Sequence, residues 1–335
     1  MKNFAAILFL LLSANGFAAE ADHYTVEYSS VAEVGDEINR IAQTELEKAL
    51  TSLNQEGNCS TDINGEIRLY EKLQTIFGNH SNGILVKEVL FGETVEKTVI
   101  PLKESIYAGW TIFDGMILGR KKAASSPLAL SPLIKIKDEV IGVDKLEHLF
   151  GMGFIYFKGH YLKNKPLLKV LKNGILKEKT ILGGNRLATG VFAYGDLAAN
   201  FNGMRFWNHV LQKRDDVLGK THNIGPYVFC KNNQWIINSD KPIDLSKYID
   251  ASFDESVNCS KFASKKAIVK FHKIAYEKNR SVQQNNIQCP LKAERLDEIN
   301  KKYNVPVSEN NKDLTIGHWI INNKGHEKVS YLNEF

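Results

Sequence analysis

Two segments of this chain repeat one spacing of polar residues and glycine. They occupy residues 144–151 and 196–203; each begins with Asp, has His or Asn four residues later, and ends with Gly seven residues after the Asp. Positions i, i+4 and i+7 of an α-helix share one face. The spacing therefore predicts two helices that each carry a carboxylate, a hydrogen-bonding group and a gap along one stripe. At Gly151 and Gly203 either another helix or a ligand can approach the backbone.

Glu147 adds a second carboxylate to the first segment. Its sequence neighbours are mostly apolar, so we expect surroundings that disfavour the charged form of the carboxyl and suit it to donate a proton. Asp196, at the start of the other helix, is expected to remain ionised. Two carboxyl groups facing each other across a cleft can cleave a glycosidic bond. The alternative is that Glu147 only forms an ion pair with Lys145, His148 or a surface lysine.

Asp144 and His148 are one helical turn apart, so the carboxylate could orient the imidazole, or both could bind a metal ion. Asp144 could instead cap the N-terminus of its helix, and Asp196 has the same alternative because it follows a favourable helix entry. A cap and a catalytic base are not exclusive roles.

The loop before the second segment supplies hydroxyl groups and aromatic rings. Thr189 and Tyr194 are candidate substrate contacts, and Asn200 could bind an N-acetyl or hydroxyl group of a sugar. Asp144 and His148 complete the predicted substrate-binding set. Core packing of the aromatic rings and burial of Asn200 against the backbone are the alternatives.

Residues 1–19 are predicted to be a secretory signal peptide. Lys2 supplies a positive charge, Phe4–Leu12 form an apolar run, and small residues permit cleavage after Ala18 or Ala21. The apolar run is shorter than the roughly 18 residues that a membrane-spanning helix needs. We therefore expect a periplasmic or secreted protein without a transmembrane segment.

Cysteine usage agrees with export. The four cysteines are Cys59, Cys230, Cys259 and Cys289, and an even number in an exported chain predicts two disulfides. Three of the four follow residue 229, so at least one bridge joins two of those three. Sequence alone leaves the pairing open.

The charge and the motifs exclude several classes of function. The net charge of +5 over 335 residues is too small and dispersed to predict nucleic-acid binding. The chain has no Gly-x-Ser-x-Gly elbow, no phosphate-binding loop of the Walker type and no His-Glu-x-x-His segment. We predict no cofactor and no bound metal, and we expect a monomer.

The hydrophobic periodicity predicts an α+β fold that is predominantly helical. Helices are expected over residues 30–55, 66–77, 144–162, 167–176, 195–213, 251–278 and 290–303. Short hairpins are expected over residues 84–102, 133–142 and 226–238. After the signal peptide, the predicted regions are an N-terminal α+β region (20–124), a catalytic helical core (125–220) and a C-terminal disulfide-containing region packed on it (221–335).

The segments at 144–153 and 189–203 resemble a lysozyme-like group of exported proteins, which includes the lysozyme of predatory bacteria that acts on deacetylated peptidoglycan. The resemblance covers residues 142–211 and implies a mostly helical catalytic domain with a single Glu acid, at Glu147. The Asp-Lys-x-x-His spacing also resembles a motif of small envelope proteins, in which Asp144 and His148 would form the centre.

The expected function is therefore cleavage of peptidoglycan glycan strands by a lysozyme- or muramidase-like glycoside hydrolase, on a glycan that could be deacetylated. Glu147 would donate the proton, and Asp196 would stabilise positive charge or activate water. Two alternatives stay open: a metal-dependent envelope hydrolase centred on Asp144, His148 and Asp196, and a non-catalytic envelope-binding protein.

Overall fold

The two segments of shared spacing lie on two helices that pack directly against each other. The computed structural model describes residues 19–120, 126–278, 289–308 and 311–326. The first helix, α4, covers residues 143–162 and alternates α-helical with π-helical turns: Val143–Glu147, His148–Met152, Gly153–Phe157 and Lys158–Leu162. The second, α6, covers Tyr194–Leu211 and is buried along almost its whole length. A helix buried on all sides is the centre of a fold, and the other elements surround α6.

About 47% of the chain is helical, which confirms the predominantly helical α+β class. The remaining helices are α1 (Gly35–Glu56), α2 (Ile63–Leu73), α3 (Ile84–Phe91), α5 (Leu167–Thr180), α7 (Lys265–Glu277), α8 (Ala293–Lys302) and α9 (Gly317–Ile320). Short 3-10 turns occur at Tyr28–Ser30, Leu102–Glu104, Lys220–His222, Leu245–Lys247 and Ala251–Phe253.

The strands form four separate antiparallel pairs. They are β1 (Leu133–Ile136) with β2 (Glu139–Gly142), β3 (Val191–Phe192) with β6 (Lys261–Phe262), β4 (Val228–Lys231) with β5 (Gln234–Ile237), and β7 (Pro306–Ser308) with β8 (Asn311–Thr315). The predicted hairpins at 133–142 and 226–238 are confirmed. Asn232 and Asn233 both have positive φ in the second of them, as a tight two-residue hairpin turn requires.

The hairpin predicted over residues 84–102 is wrong. Its first half is helix α3, because Leu85, Val86, Val89 and Leu90 fall on one helical face and enter the core. Its second half makes only an isolated bridge from Thr98 to Leu133. Burial of the apolar face has overridden the strand-like composition of this segment.

The helix predicted over 251–278 is too long. It begins at Lys265, where the Ser264 hydroxyl accepts a hydrogen bond from the Ala267 N–H at 3.1 Å. The preceding segment forms turns instead, because the Asp250 and Asp254 carboxylates accept hydrogen bonds from backbone N–H groups two residues on. Cys259 therefore lies in a turn and not on the helix.

Two disulfides are present as predicted, joining Cys59 to Cys230 and Cys259 to Cys289. The first ties the segment after α1 to strand β4. Buried residues of all three predicted regions belong to one hydrophobic cluster, which extends along the chain from Val34 to Ile321. Residues 1–18 of the predicted signal peptide and residue 125 of the predicted boundary lie outside the described residues.

No helix within the described ranges combines the length and the apolar character needed to cross a bilayer.

The glycines of the two segments have different roles. A Cβ on Gly203 would lie 1.8 Å from the Leu149 carbonyl oxygen, and one on Gly153 would lie 2.5 Å from the Gly203 Cα. Helices α4 and α6 therefore cross at Gly153 and Gly203, with backbone against backbone. A Cβ on Gly151 would meet only Asn79, at 3.6 Å, so Gly151 faces an opening rather than a helix.

We expect Gly203→Ala to lower the free energy of unfolding by about 1–3 kcal/mol or more, because the overlapping atom belongs to a backbone that cannot rotate away. The matched change Gly151→Ala should leave it within about 0.5 kcal/mol. Urea unfolding followed by circular dichroism measures both. Equal stabilities would contradict the proposed helix crossing.

Candidate active site and buried charge cluster

A cleft opens beside the π-helical turn of α4. Its volume is about 230 Å³, and its lining includes Gln74, Asn79, Asn82, Glu147, His148, Gly151 and Phe154. The cleft is smaller than the roughly 300–1,000 Å³ of typical small-molecule sites. The cleft therefore encloses less space than a drug-sized ligand fills. Departures from regular α-helix are frequent at functional sites.

Glu147 is the one carboxylate among the described residues that line this cleft. Its Oε1 lies 2.6 Å from His80 Nδ1 and accepts a hydrogen bond from the His80 backbone N–H at 3.2 Å. Within the described ranges no protein group hydrogen-bonds Oε2. His80 thus fixes one carboxyl oxygen, while the other remains available to a bound molecule.

The contact with Glu147 changes the acidity of the His80 imidazole. The hydrogen bond to Glu147 raises the pKa of the His80 imidazole above its ordinary value, although partial burial opposes that effect. His80 therefore keeps its imidazolium proton next to the cleft to a higher pH than a free imidazole does.

Behind the cleft, the ammonium group of Lys145 is surrounded by three carboxylates. Its Nζ lies 2.5 Å from Asp144 Oδ2, 2.7 Å from Asp196 Oδ1 and 2.8 Å from Glu255 Oε1, and all four side chains are almost completely inaccessible. Burial alone would lower the pKa of Lys145, but these carboxylates outweigh it and raise the pKa well above its ordinary value. Lys145 is therefore charged and joins α4, α6 and the turn after Asp254.

Two more carboxyl groups border this cluster. Glu20 accepts a hydrogen bond from the Thr189 hydroxyl, and Glu178 accepts one from the Gly183 N–H at 3.0 Å. Burial, followed by repulsion from neighbouring carboxylates, raises the pKa of both Glu20 and Glu178 well above the ordinary value. The cluster therefore holds more carboxyl groups than Lys145 can neutralise.

His148 bridges the two motif helices. Its Nδ1 lies 3.0 Å from Asn200 Oδ1, and its Nε2 lies 3.1 Å from Asp196 Oδ2. It does not pair with Asp144, whose carboxylate contacts Lys145 instead. Neither Asp144 nor Asp196 caps its helix: the cap positions are Gly142 and Ala193.

Most of the predicted site residues do not line the cleft. Thr189, Asp196 and Asn200 are 0%, 0% and 1% exposed, and Tyr194 packs on Phe192 with ring centroids 5.0 Å apart. The reason is that α6 is buried on all sides, so its polar stripe faces α4 and not solvent. Of the seven predicted residues, only Glu147 and His148 line the cleft.

Several residues that shape the site were not among those predicted. Lys145 lies within the first segment, and its place next to Asp144 in the sequence is the signal that could have indicated an ion pair. Glu20, Glu178 and Glu255 come from separate parts of the chain and carry no motif that links them. His80 lies in the loop before α3, where the sequence shows no pattern that points to Glu147.

No family model, no curated protein and no solved structure matches this chain.

We expect Lys145→Met to destabilise the fold by about 3–5 kcal/mol, because it leaves buried carboxylates without their counter-charge. The double change Lys145→Met with Asp196→Asn should recover part of this loss. Lys158→Met, at an exposed lysine of the same helix, is the control and should change little. Chemical denaturation at pH 7 measures all three, and a Lys145→Met protein as stable as the control would contradict a charged Lys145.

Proposed function

We propose that the chain is a glycoside hydrolase that cleaves the glycan strands of peptidoglycan, with Glu147 as the proton donor. The observation that carries the proposal is the position of Glu147 in the cleft. One of its oxygens is held by His80, the other has no described partner, and the open space beside Gly151 adjoins it.

The proton moves from Glu147 to the glycosidic oxygen as the bond to the anomeric carbon breaks. The carboxylate that forms on Glu147 accepts the hydrogen bonds of the His80 backbone N–H and ring. Hydrogen-bond donors that stabilise the carboxylate make it easier for Glu147 to release its proton. His80 is thus a positioning residue.

Asp196 takes no direct part in this scheme, in contrast to the role expected from the sequence. It is fully buried, forms an ion pair with Lys145, and lies 3.1 Å from His148 Nε2. With Glu147 as the one carboxylate of the described cleft lining, the scheme assigns no second carboxylate as nucleophile. Water attacks the anomeric carbon and loses its proton to solvent, and the Glu147 carboxylate takes up a proton from solvent before the next cleavage.

The cleft walls suit a sugar unit. Asn79 and Asn82 use their side-chain oxygens to accept backbone N–H groups within the loop, which directs their amide nitrogens to other partners. Phe154 and Ile155 supply apolar surface on the opposite helix. Amide donors and apolar surface together match the hydroxyl groups and C–H faces of a pyranose ring.

We expect Glu147→Gln to reduce release of soluble fragments from purified peptidoglycan by about 10²–10⁴-fold, the usual contribution of a general acid. Glu93→Gln, at an exposed glutamate, is the matched control and should retain activity. Acetylated and chemically deacetylated walls are digested in parallel, and fragments with new reducing sugar ends are identified by mass spectrometry.

Each other outcome of that digestion selects a different function. Equal release by Glu147→Gln and wild type would remove Glu147 from the chemistry. Release of peptide fragments in place of reducing sugar ends, abolished by a chelator, would favour the metal-dependent hydrolase. Binding of the wall without release of any fragment would favour the envelope-binding protein.

The activity should depend on the proton of His80, which hydrogen-bonds Glu147. The pKa of His80 is raised by that hydrogen bond, so the proton is present at lower pH and is lost as the pH rises through the raised pKa. We expect kcat/KM to fall over the same range. Gln cannot titrate there, so His80→Gln should remove this decline from the alkaline limb of kcat/KM. An alkaline limb that is the same in both proteins would exclude a role for the His80 proton.

A further inference from the structure

A second group of side chains lies deeper than the cleft, on the inner side of α4. A ring nitrogen of His148 and one carboxylate oxygen each from Glu178 and Asp196 all lie within 4.8 Å of one another. The three residues come from α4, α5 and α6. We propose that His148, Glu178 and Asp196 bind a divalent cation, with zinc as the best chemical match.

The first argument is that buried acceptors in this group have no donor. Lys145 and His148 are within ion-pair distance of Asp196, but at angles outside hydrogen-bond geometry, so neither Asp196 oxygen has a described hydrogen-bond donor. Glu178 Oε2 also has none in the described part of the chain. Glu178 and Asp196 are both 0% exposed. Buried carboxyl oxygens without a hydrogen-bond partner are costly. A cation that displaces the carboxyl proton of Glu178 would contact them together.

The second argument is the orientation of His148. Its Nδ1 faces the side-chain oxygen of Asn200, which can only accept a hydrogen bond, so Nδ1 carries the proton. The other nitrogen, Nε2, then presents a lone pair toward Asp196. Metal-bound histidines show this arrangement, in which the second ring nitrogen donates to an oxygen of the surrounding shell.

The third argument is charge and size. The neighbouring group of Asp144, Asp196 and Glu255 already holds the Lys145 ammonium, whereas no cationic side chain in the described part of the chain forms an ion pair with Glu178. A cation between three atoms at most 4.8 Å apart lies roughly within 2.8 Å of each, and a small contraction reaches zinc–ligand distances of about 2.0–2.2 Å. One imidazole with two carboxylates favours zinc over magnesium or calcium, which prefer oxygen ligands.

Such a cation would hold side chains in position and would not contact substrate. Glu178 and Asp196 are completely buried, so the ion would be enclosed by protein side chains. It would fix His148, the residue next to Glu147, and tie α4 to α5 and α6. The site differs from the metal centre expected from the sequence. Asp144 contacts Lys145, and Glu178 is the third ligand instead of Asp144. The proposal does not depend on the glycosidase activity.

The test is zinc binding by the purified, full-length protein after removal of metals with a chelator. We expect one zinc ion per chain by isothermal titration and elemental analysis, with a higher midpoint of thermal unfolding. His148→Ala and Glu178→Gln should weaken binding at least about 100-fold. His222→Ala, a partly exposed histidine far along the chain, and Glu93→Gln are the matched controls and should bind as the wild type does.

Zinc that fails to bind, or that binds equally to His148→Ala and His222→Ala, would overturn the proposal. If His148→Ala does not fold, X-ray absorption of the zinc-loaded wild type decides the question: one imidazole with oxygen ligands supports the site, and oxygen ligands alone overturn it. None of these readouts uses glycan cleavage, so failure of this proposal and failure of the glycosidase proposal are distinguishable.

Discussion

The buried ammonium of Lys145 is the interaction on which the rest of the structure depends. It contacts carboxylates from the first turn of α4, from the first turn of α6 and from the turn after Asp254. A buried charge is tolerated only where its partners are close and correctly placed, so these three parts of the chain are fixed relative to one another. Gly195 contributes by allowing close approach, because a Cβ there would lie 3.0 Å from Lys145 Cε.

Residues within one turn of helix α4 face two different environments, the interior and the cleft. Successive helical residues are rotated by about 100° about the axis, so Lys145 faces the interior while Glu147 faces the cleft. His148 is adjacent to both and reaches across to α6. Among the described residues, one carboxyl group lines the cleft, and it is hydrogen-bonded to His80. The interior contains the charges that hold the helix in place. This division supports a role for Glu147 in proton transfer and a positioning role for Asp144, His148 and Asp196.

The regular helices and tight turns were predictable because local spacing determines them. Helix α4 and helix α6 follow from the i, i+4, i+7 spacing of their Asp, His or Asn, and Gly residues. The turn at Asn232 and Asn233 follows from residues that tolerate positive φ. The segment at 84–91 was not predictable in this way, since its apolar composition suits a strand as well as a short helix. Only packing against the core decides between the two.

The candidate site was predictable in part for a similar reason. Glu147 and His148 stand out because they occur in a short motif with helical spacing. His80, Glu178 and Glu255 are brought to the site by tertiary packing from separate parts of the sequence, and no local pattern links them. The spacing also does not show which way the polar stripe of α6 faces. That stripe faces the interior, so Asn200 lies there and not in the cleft. Thr189 and Tyr194 lie in the interior as well.

The most direct measurement is a crystal structure of the Glu147→Gln variant with a soluble peptidoglycan oligosaccharide. We expect the oligosaccharide to cross the cleft beside Gly151, with one glycosidic oxygen about 2.6–3.2 Å from the side chain at position 147. An oligosaccharide bound elsewhere on the surface, or one with no glycosidic oxygen within reach of that side chain, would contradict a proton-donating role for Glu147.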